Sequence, residues 1–319
     1  MLLKNRRIAF TIRLLLLASV LPIAACKKSE DPSKPSISMF ASPDDAGSAL
    51  LSAAKSGDQN ALRALFGPNS KELIASGDSV QDRNIANLFV AGYGVMHRWR
   101  NMPDGSQILL VGADNFPFPI PLKKNGDGKW FFDTAAGKDE VLNRRIGRNE
   151  LAIIDVANAV ADAEAEYYAI PHDGGKPKQF AVKFISDPGK QNGLYWKTAD
   201  GQAPSPLGPL AAFATAEGYG ANPKPEGHNA FHGYYFRMLK GQSDKAPAGA
   251  KDYVVDGKAT NGFAFVAYPA EYRNSGVMTF IINRDGVLFQ KDLGKTTAEI
   301  ASAMKEFDPD GGWAQVEEE

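Results

Sequence analysis

Three residues in the second half of this 319-residue chain have side chains suited to proton transfer: Glu217, His232 and Glu271. Glu217 precedes a Gly-Tyr-Gly turn, and Glu271 follows the end of a predicted strand. Loops and strand ends often line a cleft, where a carboxylate pair can act as general acid and general base. The alternative is that each side chain caps a turn or pairs with an arginine. The sequence alone does not show that the three converge.

A second candidate is the basic cluster Arg144, Arg145 and Arg148. On a helix, Glu140, Arg144 and Arg148 would lie on one face at a spacing of four residues. Such a cluster can bind an anion or a carboxylate, because arginine donates paired hydrogen bonds to these groups. The alternative, which we favour, is a set of ion pairs that joins two parts of the fold, with Asp133 as a partner.

Aromatic residues are frequent in and beside the loop-rich part of the chain. Tyr219, Tyr234 and Tyr272 are the candidates for ligand binding, because tyrosine can stack on a glycan or a peptide and also form hydrogen bonds. Core packing uses the same residues, and it is the simpler explanation in a chain without disulfides.

Metal and cofactor motifs are not apparent in the sequence. The histidines His97, His172, His228 and His232 lack metal-site spacing. There is no nucleophile elbow, P-loop or dinucleotide fingerprint. We therefore predict neither a metal nor a cofactor. The 36 basic and 37 acidic side chains give a formal net charge of −1, which does not indicate a nucleic-acid surface.

The amino terminus has the layout of a secretory signal. Residues 1–25 begin with basic residues, continue with a leucine-rich run too short to span a bilayer, and end with small residues. The following Ile23-Ala24-Ala25-Cys26 resembles a bacterial lipobox, in which Cys26 carries the lipid, palmitate among its acyl chains, and becomes the mature amino terminus. The resemblance implies that the protein is anchored to a membrane through this lipid. An ordinary signal peptide with a chance cysteine is the alternative.

Because Cys26 is the only cysteine, the folded part has no disulfide or catalytic thiol. Lys27 follows the lipid site, and enteric sorting rules then favour the outer membrane, facing the periplasm. Residues 26–39 are polar and contain two prolines, which predicts a flexible tether.

The remaining chain predicts an α+β fold. We predict a helical domain with a small sheet over residues 40–147, and a long helix packed on an antiparallel sheet over 148–319. Residues 40–101 have helical patterning, with a helix start at Ser42-Pro43-Asp44-Asp45. A short helix over 140–145 should end near Gly147, before the long helix over 149–169.

The rest of the carboxy-terminal part divides into loops and strands. Residues 171–230 are rich in proline and glycine and predict ordered loops, pinned by aromatic and apolar residues that include Phe213. Strands are predicted over 231–239, 262–268, 277–283 and 287–292, with a closing helix over 296–307.

Several blocks carry a family resemblance. They are Phe231–Leu239, Gly262–Tyr272, Asn274–Phe280, Pro117–Leu122 and Arg144–Glu150, with Asp308-Pro309-Asp310 and Trp313 at the end. Together they resemble the bacterial exported family catalogued as domain of unknown function 2950, over nearly the whole mature chain. This resemblance implies no established activity.

A weaker resemblance concerns the carboxy-terminal part. A long helix followed by Gly233-Tyr234-Tyr235-Phe236 and Ala267-Tyr268-Pro269 is similar to the globular part of pilin-like proteins. It implies a long helix packed on an antiparallel sheet. No apolar pilin stem precedes the helix, so filament assembly is not implied.

Three functional hypotheses follow. The first is a non-catalytic module in the periplasm that binds an envelope protein or glycan, or assists assembly, through the loop-rich face of 171–230. The second is a periplasmic hydrolase of envelope polymer that uses Glu217, His232 and Glu271. The third is a pilin-related accessory protein.

Overall fold

The computed structural model describes residues 37–172, 178–220 and 230–317. The predicted leader, the predicted lipidation site Cys26, almost all of the predicted tether and His228 lie outside these residues. Residues 36–319 group as one compact unit. No helix in the described ranges is long and apolar enough to cross a membrane.

Four helices begin the fold. They are α1 (Pro43–Ser56), α2 (Gln59–Phe66), α3 (Lys71–Ile74) and α4 (Ser79–Val95). The predicted start of α1 is confirmed, because Ser42 and Asp45 form a reciprocal capping box that satisfies free backbone N–H groups. Gly57 ends the helix in the left-handed conformation, at φ 65°.

The amino-terminal sheet has the strand order β1-β2-β4-β5, with β3 paired to β2. Its strands are β1 (His97–Asn101), β2 (Gln107–Val111), β3 (Phe116–Pro117), β4 (Leu122–Lys124) and β5 (Trp130–Phe132). Helical patterning was predicted up to residue 101, and this prediction is wrong for residues 97–101, which form strand β1. In His-Arg-Trp-Arg-Asn, the two-residue alternation places Trp99 against the core and the arginines outside.

A single helix, α5 (Thr134–Ala169), connects the two parts of the fold. At 1.5 Å per residue it is roughly 54 Å long. The predicted break near Gly147 is wrong, since this glycine is exposed and continues the helix. The proposed boundary between residues 147 and 148 lies inside α5, so the division into two domains stays a prediction.

The carboxy-terminal sheet is antiparallel, in the order β15-β13-β12-β11-β6. Its strands are β6 (Tyr234–Leu239), β11 (Ala264–Pro269), β12 (Met278–Asn283), β13 (Leu288–Asp292) and β15 (Ala314–Gln315). A small sheet comprises β7 (Gly241–Gln242), β8 (Lys251–Asp252) and β14 (Glu306–Phe307). A separate hairpin is formed by β9 (Val254–Val255) and β10 (Lys258–Ala259). The helix α7 (Thr297–Ala303) follows β13 and is shorter than predicted.

Both faces of this sheet are covered. One apolar cluster joins Ile153 and Val160 of α5 to Phe265 and Phe280 of the sheet. A second cluster packs the opposite face, around Val266, Ile281 and Phe307. All six residues of β11 are buried, as expected for a strand with no solvent-facing side. The predicted α+β architecture of a long helix on an antiparallel sheet is confirmed.

The region predicted as ordered loops contains one further helix, α6 (Gly208–Ala216). Pro209 is favourable in its first turn, and alanines fill most of the rest. Phe213 was expected to pin this region to the core, but its side chain is 55% exposed.

Candidate functional site

A buried carboxylate, Asp78, joins α4 to the carboxy-terminal part. Its Oδ1 accepts hydrogen bonds from the Val80 and Gln81 backbone N–H groups, which caps α4. Its Oδ2 accepts from the Tyr219 hydroxyl at 2.6 Å and from the Gly233 N–H at 3.2 Å. Tyr219 is therefore positioned by this contact, and burial beside the carboxylate raises the pKa of its phenol.

Two of the three proton-transfer candidates meet next to Asp78. His232 Nε2 lies 3.3 Å from Glu217 Oε2, and both side chains are mostly buried. This is ion-pair distance, but the two groups are not aligned for a hydrogen bond, and Glu217 Oε2 has no hydrogen-bond donor among the described residues. His232 adopts a left-handed conformation at φ 48°, and the Tyr219 hydroxyl accepts its backbone N–H.

Glu271 is held by other groups. Its Oε2 accepts from the Asn274 side-chain amide at 2.6 Å, and its Oε1 packs close to Gly77. Within the described ranges it has no ion pair or hydrogen bond with Glu217 or His232. Of the three groups, Glu217 and His232 are therefore in direct contact, and the convergence of Glu271 with them stays a prediction.

Arg145 connects α5 to elements from both parts of the chain. It is 5% exposed, and it donates to the carbonyls of Glu72 at 2.7 Å and Leu73 at 2.9 Å. It also donates to the side-chain oxygen of Asn274. Burial lowers the pKa of Arg145. The expected role of joining two parts is observed, but hydrogen bonds to carbonyl and amide oxygens replace the expected ion pairs.

The neighbouring arginines have different environments. Arg144 pairs with Glu140 at 2.6 Å, as its spacing suggested, and donates to the Pro117 carbonyl at 2.7 Å. Arg148 is exposed and has no ion pair or hydrogen bond with the described residues. Asp133 pairs with Lys123 at 2.9 Å instead of with this cluster.

Tyr234 is fully buried, which removes it as a stacking surface for a ligand. Its hydroxyl donates to the Met278 carbonyl at 2.9 Å, and burial raises its pKa. Any side chain at Gly276 would collide with its ring. Glu150 Oε1 accepts the Val277 and Met278 N–H groups, both at 2.9 Å, and so fixes the start of β12 to α5.

Tyr272, the third tyrosine candidate, borders an open groove of about 450 Å³ between α5 and the turn before β12. We call this the α5 groove. It is lined by Glu72, Lys138, Asp139, Leu142, Asn143, Ile146, Tyr272, Arg273, Asn274 and Val277. Besides Lys138, four of the lining residues lie on α5: Asp139, Leu142, Asn143 and Ile146. Their spacing is that of one helix face, and this spacing is the sequence signal that could have indicated the α5 side of the groove.

The charged residues of the α5 groove are unevenly paired. Lys138 and Glu72 form an ion pair at 2.8 Å, which lowers the pKa of the Glu72 carboxyl. Asp139 and Arg273 are exposed and have no ion-pair partner in the part of the chain that the structure describes. The groove therefore offers one available anion and one available cation beside an apolar floor.

Among the described residues, no group of three His, Cys, Asp or Glu side chains is arranged to hold a metal ion.

The fold and these contacts define an α+β protein whose helical part is joined to an antiparallel sheet by buried polar groups. The chain belongs to the family described as protein of unknown function DUF2950, whose model matches residues 38–316. No curated protein matches the chain, and neither does any solved structure. The likeness to pilin-like globular domains therefore stays a prediction.

Proposed function

We propose that this protein is an exported lipoprotein, attached through Cys26 to the outer membrane and facing the periplasm, where it is a non-catalytic binding or assembly module. The lipobox-like sequence supports the location. The observation that carries the binding role is the α5 groove, which brings the unpaired charges of Asp139 and Arg273 beside partly buried apolar residues.

The environments of the other candidates support a binding role over catalysis. Tyr219, Tyr234 and Glu271 each make hydrogen bonds that hold the fold together. Tyr272 and Arg273 lie on the surface of the groove, with the guanidinium carbon 5.7 Å from the centre of the ring. We therefore place the ligand at this groove instead of at the 171–230 loops.

The test is capture of partners from crosslinked envelopes by the lipidated protein, read by mass spectrometry. Tyr272→Ala and Arg273→Gln should each lower the yield of the captured partner at least threefold. Arg98→Ala is the matched control, because Arg98 is also an exposed arginine and lies on β1, outside the groove lining. Equal capture by all three variants contradicts the proposed site.

The location needs its own measurement. In a Cys26→Ala form with a cleavable signal, the protein should move from the membrane fraction to the soluble periplasmic fraction. Retention of the variant in the membrane fraction contradicts anchoring through Cys26.

A periplasmic hydrolase of envelope polymer is the second candidate, and the Glu217–His232 contact at 3.3 Å favours it. A carboxylate beside an imidazole can orient and charge it for proton transfer. Purified protein would then release fragments from envelope polymer, and Glu217→Gln or His232→Gln would abolish release without lowering the melting temperature. No release by the wild-type protein contradicts this candidate.

A further inference from the structure

We propose that the α5 groove binds a short peptide segment that carries a free carboxylate, an apolar side chain and an ammonium group. This inference rests on the proposed binding function, and it names the chemistry of the ligand. Each of the three parts corresponds to a different element of the groove.

The carboxylate fits Arg273. This residue lies on a turn that is fixed by backbone hydrogen bonds, since its N–H donates to the Gly276 carbonyl at 2.8 Å. Its guanidinium lies over the Tyr272 ring, and the Tyr272 hydroxyl donates to Asp292 at 3.1 Å. The ring therefore orients the guanidinium, whose planar set of donors suits a carboxylate.

The apolar side chain fits the floor. Leu142 and Ile146 are one turn apart on α5, and Val277, the residue before β12, lines the same groove. All three are only partly buried, so a ligand can remove further apolar surface from water. That gain is about 25 cal/mol for each Å² covered.

The ammonium fits Asp139, which precedes Leu142 on the same helix face. Lys138 is the neighbour of Asp139 in the chain, but the charge of Lys138 is compensated by Glu72. Asn143 is exposed and without a hydrogen-bond partner among the described residues, so its amide is available to a peptide group.

The walls of the groove are held in place before any ligand arrives. Arg145 fixes Asn274, and Glu150 fixes Val277, so both ends of the turn are attached to α5. A preformed site needs little ordering on binding, which lowers the free-energy cost of association.

The experiment measures binding of the tripeptide Ala-Leu-Ala, with free termini, to the mature full-length Cys26→Ala protein by calorimetry. N-acetyl-Ala-Leu-Ala lacks the ammonium, and Ala-Leu-Ala amide lacks the carboxylate. We expect each capped peptide to bind at least threefold more weakly. Peptides of four and five residues with the same termini test the spacing.

Double-mutant cycles assign each charge to its residue. When the protein carries Arg273→Gln, amidation of the peptide should not lower the affinity further, whereas acetylation should still lower it. Against Asp139→Asn the pattern should be reversed. Arg98→Ala should leave all three affinities unchanged. The proposal would be overturned if no free peptide binds. It would also be overturned if, in both cycles, the losses of affinity from the protein substitution and from the peptide cap are independent and multiply.

The same peptide separates this inference from the proposed function, and also separates two sources of the ligand. If envelope capture depends on Tyr272 and Arg273 but no peptide binds, the function stands and the peptide inference fails. If peptides bind but capture is independent of these residues, the proposed function fails. Release of peptidoglycan by excess peptide indicates a polymer peptide, and release of a captured protein indicates a protein terminus.

Discussion

The two halves of α5 are held in the fold by different kinds of contact. In the first half, Arg145 and Asn149 are buried and donate to carbonyl and amide oxygens of distant segments. In the second half, Ile153, Val156 and Val160 pack against the sheet. The polar half determines where the helical part lies, because hydrogen bonds are directional, whereas the apolar half contributes free energy through burial.

The largest effect is expected from the polar half. Arg145→Ala would leave two carbonyls and the Asn274 side chain without their donor in a buried site. We expect a loss of about 3–5 kcal/mol in the free energy of unfolding, because each buried acceptor left without its donor costs about 1–3 kcal/mol. Urea denaturation measures it. A loss below 1 kcal/mol would show that water replaces the guanidinium and that the contact does not determine the geometry.

A substitution in the apolar half of α5 should lower the free energy of unfolding slightly less. Ile153 is fully buried, and Ile153→Ala is expected to cost about 3 kcal/mol through lost burial and the cavity left behind. Leu151→Ala is the control, since Leu151 lies two residues away on α5 and is 66% exposed. If both variants have the same stability, the packing of α5 on the sheet does not supply the free energy assigned to it.

One acidic residue of the apolar half should make stability depend on pH. Glu164 is fully buried; its Oε2 accepts the Ala181 N–H, and its Oε1 has no partner in the described ranges. Burial raises the pKa of Glu164 to about 8. The folded protein therefore binds this proton more tightly than the unfolded chain, so stability is greatest below the ordinary pKa and falls as pH rises towards 8.

Between pH 5.5 and pH 7 the loss should be about 2 kcal/mol, from 1.36 kcal/mol for each pH unit. Glu164→Gln should remove this slope, while Glu166→Gln, an exposed position on the same helix, should keep it. Thermal melts at both pH values give the comparison. A wild-type protein with the same stability at both pH values would show that Glu164 remains ionised.

The smallest effect is expected where the polar half is exposed. Glu140 and Arg144 form a pair four residues apart, with about half of the Glu140 side chain accessible. Glu140→Ala should cost about 0.5 kcal/mol, and less at high salt. Urea denaturation at two salt concentrations measures it. A cost similar to that of Arg145→Ala would mean that charge, and not burial, explains the polar half.

Local features of the fold were predictable, because they depend on neighbouring residues. The helix start at Ser42 and the apolar runs of β11 and β12 are of this kind. The helix through Gly147 and the strand at 97–101 were missed, because tertiary packing outweighs the local preference of one glycine and of a short charged segment.

The site was less accessible to sequence reasoning. The contact of Glu217 with His232 was one of several possible pairings, and the polar contacts of Asp78, Glu150 and Asn274 were not predicted. The contacts of Asp78 with Gly233, of Glu150 with Val277 and of Asn274 with Ala75 each join residues more than 100 positions apart, which no local pattern specifies. The arginine cluster was a real signal. Arg144 pairs with the Glu140 carboxylate, as its spacing suggested, whereas Arg145 bonds to backbone and amide oxygens.

The bond between Asn274 and the Ala75 carbonyl spans 199 positions of the chain, so it forms only when most of the chain is available. The ribosome finishes the amino-terminal helices long before residue 274 exists. Until then Arg145 has only its partners Glu72 and Leu73, and Asp78 lacks the Gly233 N–H. We therefore expect a chain that stops short of β12 to be cleaved by proteases more readily within its helical part than the complete chain.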